Sequence, residues 1–229
     1  MLRACAIVPA YNAAQTVGVV VDGLRSLDVP ILVVDDGSTD GTSGAAEACG
    51  AVVLRHAHNR GKGDAIRTGL VRAKVDGMNV AVTVDADGQH PFESARAVLD
   101  ASDDPSALVL GVRNLEQDGA PARNRFGNSV SNFFLSHFAG RPLRDTQCGL
   151  RRYPVVETLA LGARSHGFAF EGEIVLRALA AGIRLVEIPI KVVYPPEDER
   201  RTHFRGVVDP ARIVMAVVST VLELRYRGR

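Results

Sequence analysis

A chain of 229 residues with 46% hydrophobic and 23% charged residues has room for one α/β domain with a sizeable core, and its composition argues against global disorder. The formal net charge of +1 supplies no bulk attraction for nucleic acid, and no apolar run nears the roughly 20 residues that span a bilayer. The three cysteines, Cys5, Cys49 and Cys148, lack metal-ligand spacing and read as small buried hydrophobes or free thiols in a reducing compartment. Residues 4–8 are already strand-like, with no charged-then-apolar leader before them, so the expectation is a cytoplasmic protein.

The predicted elements alternate through the first half. Apolar, β-branched runs at residues 4–9, 31–34, 51–55 and 79–84 read as strands. Between them, residues 13–27, 41–49 and 63–74 have helical character. This βαβαβαβ order implies a mostly parallel, Rossmann-like sheet with right-handed crossovers. The second half predicts a strand at 107–112, helices at 126–138 and 171–181, and a strand at 185–193 that Pro189 confines to an edge or a bulge. A terminal helix follows at 207–226. We read one domain over 1–229, with nucleotide binding in 1–113 and the acceptor side in 114–229.

Two strands end in acids: Val33-Val34-Asp35-Asp36 and Val82-Thr83-Val84-Asp85-Ala86-Asp87. In an open α/β sheet ligands bind beyond the carboxyl ends of the strands. Carboxylates crowded there repel one another unless a cation joins them. Mg²⁺ or Mn²⁺ suits such oxygen ligands and brings substrate phosphates with it. Asp40, before Gly41 and Thr42, reads instead as a turn or cap residue.

Six segments in this order carry a resemblance: residues 8–12 (VPAYN), 33–42 (VVDDGSTDGT), 59–63 (NRGKG), 85–91 (DADGQHP), 145–149 (DTQCG) and Phe170-Glu171. The chain resembles family-2 glycosyltransferases of the GT-A fold, in particular the dolichyl- or polyprenyl-phosphate mannose and glucose synthases. The resemblance implies that Pro9, Ala10, Tyr11 and Asn12 line the base and ribose pocket. Asp35 and Asp36 would bind the nucleoside, and Asp85 and Asp87 the metal and diphosphate, with Ala86 and Gln89 beside them and Lys62 approaching the diphosphate. Arg113, Arg125 and Ser129 fall where such synthases hold the acceptor phosphate, and Arg125 and Ser129 share a helix face at i, i+4. Arg201 and His203 lie in the segment corresponding to a loop that closes over the diphosphate. His203 replaces the expected Lys, which leaves the acceptor open.

The function implied is inverting transfer of a hexose from GDP-mannose or UDP-glucose, with a lipid phosphate as the expected acceptor and a glycan or glycolipid hydroxyl as the alternative. A lipid phosphate is already an anion, whereas a hydroxyl acceptor needs a general base; Asp145, Glu171 and Glu173 are the candidates. Glu171 and Glu173 stand two apart and cannot share a helix face. Beyond Arg212 the mix of aliphatic and Arg residues fits packing on the sheet or a homodimer contact, with peripheral membrane contact as the other reading. A nucleotidyltransferase would need glycines and basic residues after the first strand, where residues 9–14 have neither. A non-catalytic sugar-nucleotide-binding module would have no use for Arg113 and Arg125.

Overall fold

The computed structural model describes residues 2–120, 122–167, 169–194 and 208–227. Seven strands form one sheet: β1 (Ala4–Ala10), β2 (Ile31–Asp35), β3 (Val52–Arg55), β4 (Val80–Thr83), β5 (Leu108–Arg113), β6 (Arg151–Pro154) and β7 (Leu185–Ile190). Their order is β3-β2-β1-β4-β6-β5-β7. All pairs are parallel except those of β6, which runs antiparallel to both β4 and β5. β7 is an edge strand, which accommodates Pro189 and its missing N–H.

Helices cover both faces, so the central strands are buried on both sides. Successive residues of β1 split between the layers. Cys5 and Ile7 pack with Ile66 and Leu70 of α3 (Lys62–Val75) and with Phe170 and Ile174 of α7 (Ala169–Ala180). Ala6 and Val8 pack with Val17 and Val21 of α1 (Val17–Leu24) and with Val98 and Leu99 of α4 (Phe92–Asp100). The remaining helices are α2 (Thr42–Ala48), α5 (Ala122–Ala139), α6 (Val155–Ala160) and α8 (Val208–Arg227).

The elements depart from expectation in three places. The first helix starts at Val17 rather than residue 13; the Ala13 and Ala14 N–H groups donate to Thr42 Oγ1 and Asp40 Oδ2 (2.8 and 3.2 Å), which ties the segment before it to the 40–42 turn. β6 has the sequence Arg-Arg-Tyr-Pro, which carries no apolar run. Its arginines are buried because they serve main-chain carbonyls. Arg151 donates to Cys148, Thr146 and Glu171, while Arg152 donates to Leu99, Ser102 and Asp104 at the end of α4. The helices α4 and α6 were not expected from the sequence pattern.

α8 packs on α7 and α5. Its inner side buries Val217 and Thr220, and Glu223 pairs with Arg177 at 2.5 Å. Its outer side exposes Met215, Val218 and Leu222. Among the described residues, no helix is long and apolar enough to cross a membrane. The three cysteines are free thiols.

Candidate active site

The carboxyl edge of the sheet gathers charged side chains from four regions of the sequence. Asp85 and Asp87 follow β4, Lys62 opens α3, Arg113 ends β5, and Glu171 sits in the first turn of α7. Lys62 Nζ lies 2.7 Å from Asp85 Oδ1 and 3.1 Å from Glu171 Oε1. Two glycines permit this convergence. A Cβ on Gly63 would lie 2.6 Å from Phe170 Cβ, so its absence lets α3 and α7 approach and brings the neighbouring Lys62 and Glu171 together. A Cβ on Gly149 would lie 2.6 Å from Lys62 Nζ and 2.7 Å from Asp85 Oδ1.

Electrostatics separate the two aspartates. Burial opposes the charge of Asp85, but the Lys62 ammonium outweighs it and holds the carboxyl below its ordinary range. Asp87 is pushed up to about 6, by burial among neighbouring atoms and then by the Asp85 charge. It keeps a solvent-exposed side, so water screens part of that repulsion. Burial disfavours the charged form of Lys62, yet Asp85 and Glu171 together keep its pKa raised. His90 is pushed down to about 4, chiefly by burial, and is neutral near pH 7; its Nδ1 has no hydrogen-bond partner among the described residues.

Arg113 lies close enough to help lower Asp85, and its guanidinium grips Asp145. Nε donates to Asp145 Oδ2 at 2.7 Å and Nη2 to Oδ1 at 2.9 Å. The Arg113 N–H also donates to Asp145, as does that of Gln147 (3.1 and 3.3 Å). Asp145 is thus a buried carboxylate held by two side-chain and two main-chain donors. Glu173 is equally occupied: it accepts from the Arg164 and Ser165 N–H groups and from Arg177 Nε (3.0, 2.7 and 2.6 Å). Of the two glutamates, only Glu171 faces Lys62.

Beyond the ends of β1 and β2, two loops are sewn together. The Asn12 N–H donates to Ser38 Oγ (2.9 Å), and Asn12 Oδ1 accepts from the Thr39 N–H (2.9 Å). Asp35 accepts from the Ser38 N–H and from the Ser43 hydroxyl. Asp36 accepts from the Arg60 and Gly61 N–H groups (2.9 and 2.7 Å) and contacts His56 Nδ1 at 2.7 Å. Both carboxylates therefore shape the loops. Asp40 accepts from the Thr42 N–H at 3.1 Å, the turn role read from its sequence. Pro9 and Tyr11 are half-buried and Ala10 buried; Ala86 is buried, and its carbonyl accepts from Thr16 Oγ1 at 2.6 Å. The Gln89 N–H donates to Asp87 Oδ1 at 3.0 Å.

Arg125 and Ser129 are both exposed on α5. Among the described residues neither shares a hydrogen bond or ion pair with the Asp85 group. Gln147 Nε2 donates to the Gly127 carbonyl (3.3 Å) and Asn132 accepts from the Thr146 N–H (2.8 Å), so the loop after Asp145 is fastened to α5. Arg201 and His203 lie outside the described residues. Sequence reasoning missed Arg151, whose three carbonyl partners hold the 146–148 loop against the start of α7. An Arg-Arg pair without flanking apolar periodicity offers no signal for that role.

The profile of glycosyl transferase family 2 matches residues 5–153. The chain belongs to that family. The polyprenol monophosphomannose synthase of Mycolicibacterium smegmatis is 32% identical over 208 residues, covering 82% of this chain and 76% of its own. The undecaprenyl-phosphate mannosyltransferase of Micrococcus luteus is 29% identical and covers 99% of this chain and 97% of its own. Among solved structures, mannosyl-3-phosphoglycerate synthase from Rubrobacter xylanophilus superposes with a TM-score of 0.71 at 26% identity, covering 100% of this chain and 75% of that one. The protein is accordingly a glycosyltransferase with a GT-A fold.

Asp85 and Asp87 have the chemistry of ligands for a divalent cation. Among the described residues there is no group of three or more His, Cys, Asp or Glu side chains placed to cage a metal. The pair that is present, Asp85 held charged by Lys62 and Asp87 raised by burial and then by the Asp85 charge, fits a hard cation that takes its other ligands from phosphate and water.

Proposed function

We propose that this glycosyltransferase moves a hexose, with inversion, from a nucleoside diphosphate sugar of the GDP-mannose or UDP-glucose class to a polyprenyl phosphate. Residues 1–113 would serve the donor and residues 114–229 the acceptor. Asp85 and Asp87 are the groups that would hold Mg²⁺ or Mn²⁺, which supplies positive charge for the departing diphosphate. The chain's own cations, Lys62 and Arg113, border the same place. They favour two anionic partners meeting there. Arg113, fixed in orientation by Asp145, and the exposed Arg125–Ser129 pair are assigned to the acceptor phosphate.

One observation carries the choice of acceptor. Each of the three carboxylates named as a base for a hydroxyl acceptor is already engaged. Asp145 is gripped by Arg113, Glu173 by Arg177 and the 164–165 backbone, and Glu171 pairs with Lys62. A phosphate acceptor needs no base, and its nucleophilic oxygen is charged before it binds. A protein using a lipid substrate must also meet a membrane. α5 has no acidic residue and exposes Phe126 and Phe133, and α8, which packs against it, exposes Met215, Val218 and Leu222. We assign peripheral membrane contact to that surface.

The test is transfer of radiolabel from GDP-mannose and, separately, UDP-glucose to a short polyprenyl phosphate with Mn²⁺ present. Label extracted into organic solvent with one donor supports the reading. Label that stays in water with both donors, while a sugar hydroxyl acceptor becomes labelled, overturns it.

A further inference from the structure

Asp85 is claimed by two positive partners. Lys62 Nζ occupies Asp85 Oδ1 at 2.7 Å. On the reading proposed above, the same carboxylate ligates a divalent cation, whose oxygen ligands sit at about 2.1 Å for Mg²⁺. The backbone of Gly149 stands close to Asp85 Oδ1, Asp85 Oδ2 and Lys62 Nζ alike and covers part of the pair. The Asp85 side chain is only 27% exposed. An ammonium and a dication must then share the remaining side, where their mutual repulsion opposes joint occupancy.

Glu171 supplies the other half of the device. Its side chain is 1% exposed and its Oε1 lies 3.1 Å from Lys62 Nζ. Neither Glu171 oxygen has a well-aligned hydrogen-bond donor among the described residues. A buried carboxylate left in that state is costly, and an ammonium released from Asp85 would improve its pairing. The lysine backbone cannot follow, because Gly63 is pressed onto Phe170. Its flexible four-carbon stem allows the head group to swing while the helix start stays fixed.

We infer that Lys62 is a clasp that competes with the divalent cation for Asp85, and that Glu171 is a positioning residue that keeps the displaced ammonium beside the donor's diphosphate. This rests on the cation site proposed above. The two ideas fail differently under Mn²⁺ titration followed by electron paramagnetic resonance, without donor and then with GDP or UDP.

The informative variant is Lys62→Met combined with Glu171→Gln. It removes one positive and one negative charge, so the formal charge of the site is unchanged. Without nucleotide it should bind Mn²⁺ about tenfold tighter than the wild type, the scale of one charge-assisted hydrogen bond. At saturating Mn²⁺ it should bind the nucleoside diphosphate about tenfold more weakly, because the ammonium that turns to the phosphates is gone. Mn²⁺ affinity equal to or below the wild type overturns the clasp. Lys62→Arg keeps the charge and grips Asp85 with a planar fork, so it should weaken Mn²⁺ binding; unchanged affinity is again contrary. Glu171→Gln alone leaves Lys62 to Asp85 and should also weaken Mn²⁺ binding; affinity equal to or above the wild type counts against the part given to this glutamate. Thermal unfolding of each variant verifies the fold. If Asp87→Ala leaves wild-type Mn²⁺ binding intact, the cation sits elsewhere, and the metal reading falls together with the clasp.

Discussion

Gly149→Ala separates the stability of this enzyme from its chemistry. The new Cβ would lie 2.6 Å from Lys62 Nζ and 2.7 Å from Asp85 Oδ1, where ordinary contact begins near 3.4 Å. The other Asp85 oxygen, Oδ2, lies closer still, so the two head groups must give way by up to about 1 Å. Both are the ends of side chains, so the backbone can stay where it is. Overpacking of this kind costs about 1–3 kcal/mol, and the low end is expected because one side of Asp85 meets solvent. The functional cost is larger. Displacing a charge-positioning group by roughly 1 Å costs about 100-fold in rate, or about 2.7 kcal/mol of transition-state stabilisation. Steady-state transfer kinetics beside thermal unfolding by circular dichroism read the two quantities. A fall of about 100-fold in kcat/KM with a nearly retained unfolding midpoint is expected. Wild-type kcat/KM in a folded Gly149→Ala protein would refute the assignment of Asp85 and Lys62 to the reacting site.

Four further outcomes follow from the same geometry. Asp87 titrates near 6 when folded against an ordinary value of 3.8, so the folded apo-protein holds a proton there that the unfolded chain has already released. That contribution is full below about pH 4 and is lost as pH rises through 6; Asp87→Asn, measured in chelator, should flatten the unfolding midpoint across this window, and an unchanged slope counts against it. Arg151→Met leaves the Thr146, Cys148 and Glu171 carbonyls without their buried donor, and urea unfolding should show a loss of about 3–5 kcal/mol; a loss under about 1 kcal/mol would contradict the role given to this side chain. Asp145→Asn weakens the grip on Arg113, so the acceptor KM should rise about tenfold with the acid limb of the pH profile unmoved; disappearance of that limb would make Asp145 a base after all. Replacing Phe126 and Phe133 together by Ser should release the protein from anionic vesicles in co-sedimentation, and identical pelleting would remove α5 from the membrane contact.

The sequence carried the first half of the fold because each strand there is an apolar run followed by a helical pattern. The predicted 31–34 and 51–55 runs became β2 and β3 within one residue at each end. β6 was illegible for a physical reason: its burial is achieved by arginines that satisfy carbonyls, not by apolar alternation. The insertion of an antiparallel strand between β4 and β5 therefore had no local signature. In the site, Asp85 and Asp87 were readable as acids at a strand end, a purely local pattern. The pairing of Lys62 with Glu171 joins side chains 109 positions apart. It depends on Gly63 meeting Phe170, a contact that no spacing encodes. Helix geometry let at most one of Glu171 and Glu173 face the site, since two residues two apart face different ways; which one it was came from the motif position of Glu171. The engagement of Asp145 by Arg113 needed the β5 edge and the 145–149 loop to be seen together.

A crystal grown with Mn²⁺ and a nucleoside diphosphate, with data collected at the manganese edge, tests the central claim most directly. An anomalous peak within coordinating distance of Asp85 and Asp87, bridged to the diphosphate, is the predicted result. A nucleotide bound elsewhere on the protein, or a manganese peak that leaves both aspartates unligated, would contradict it.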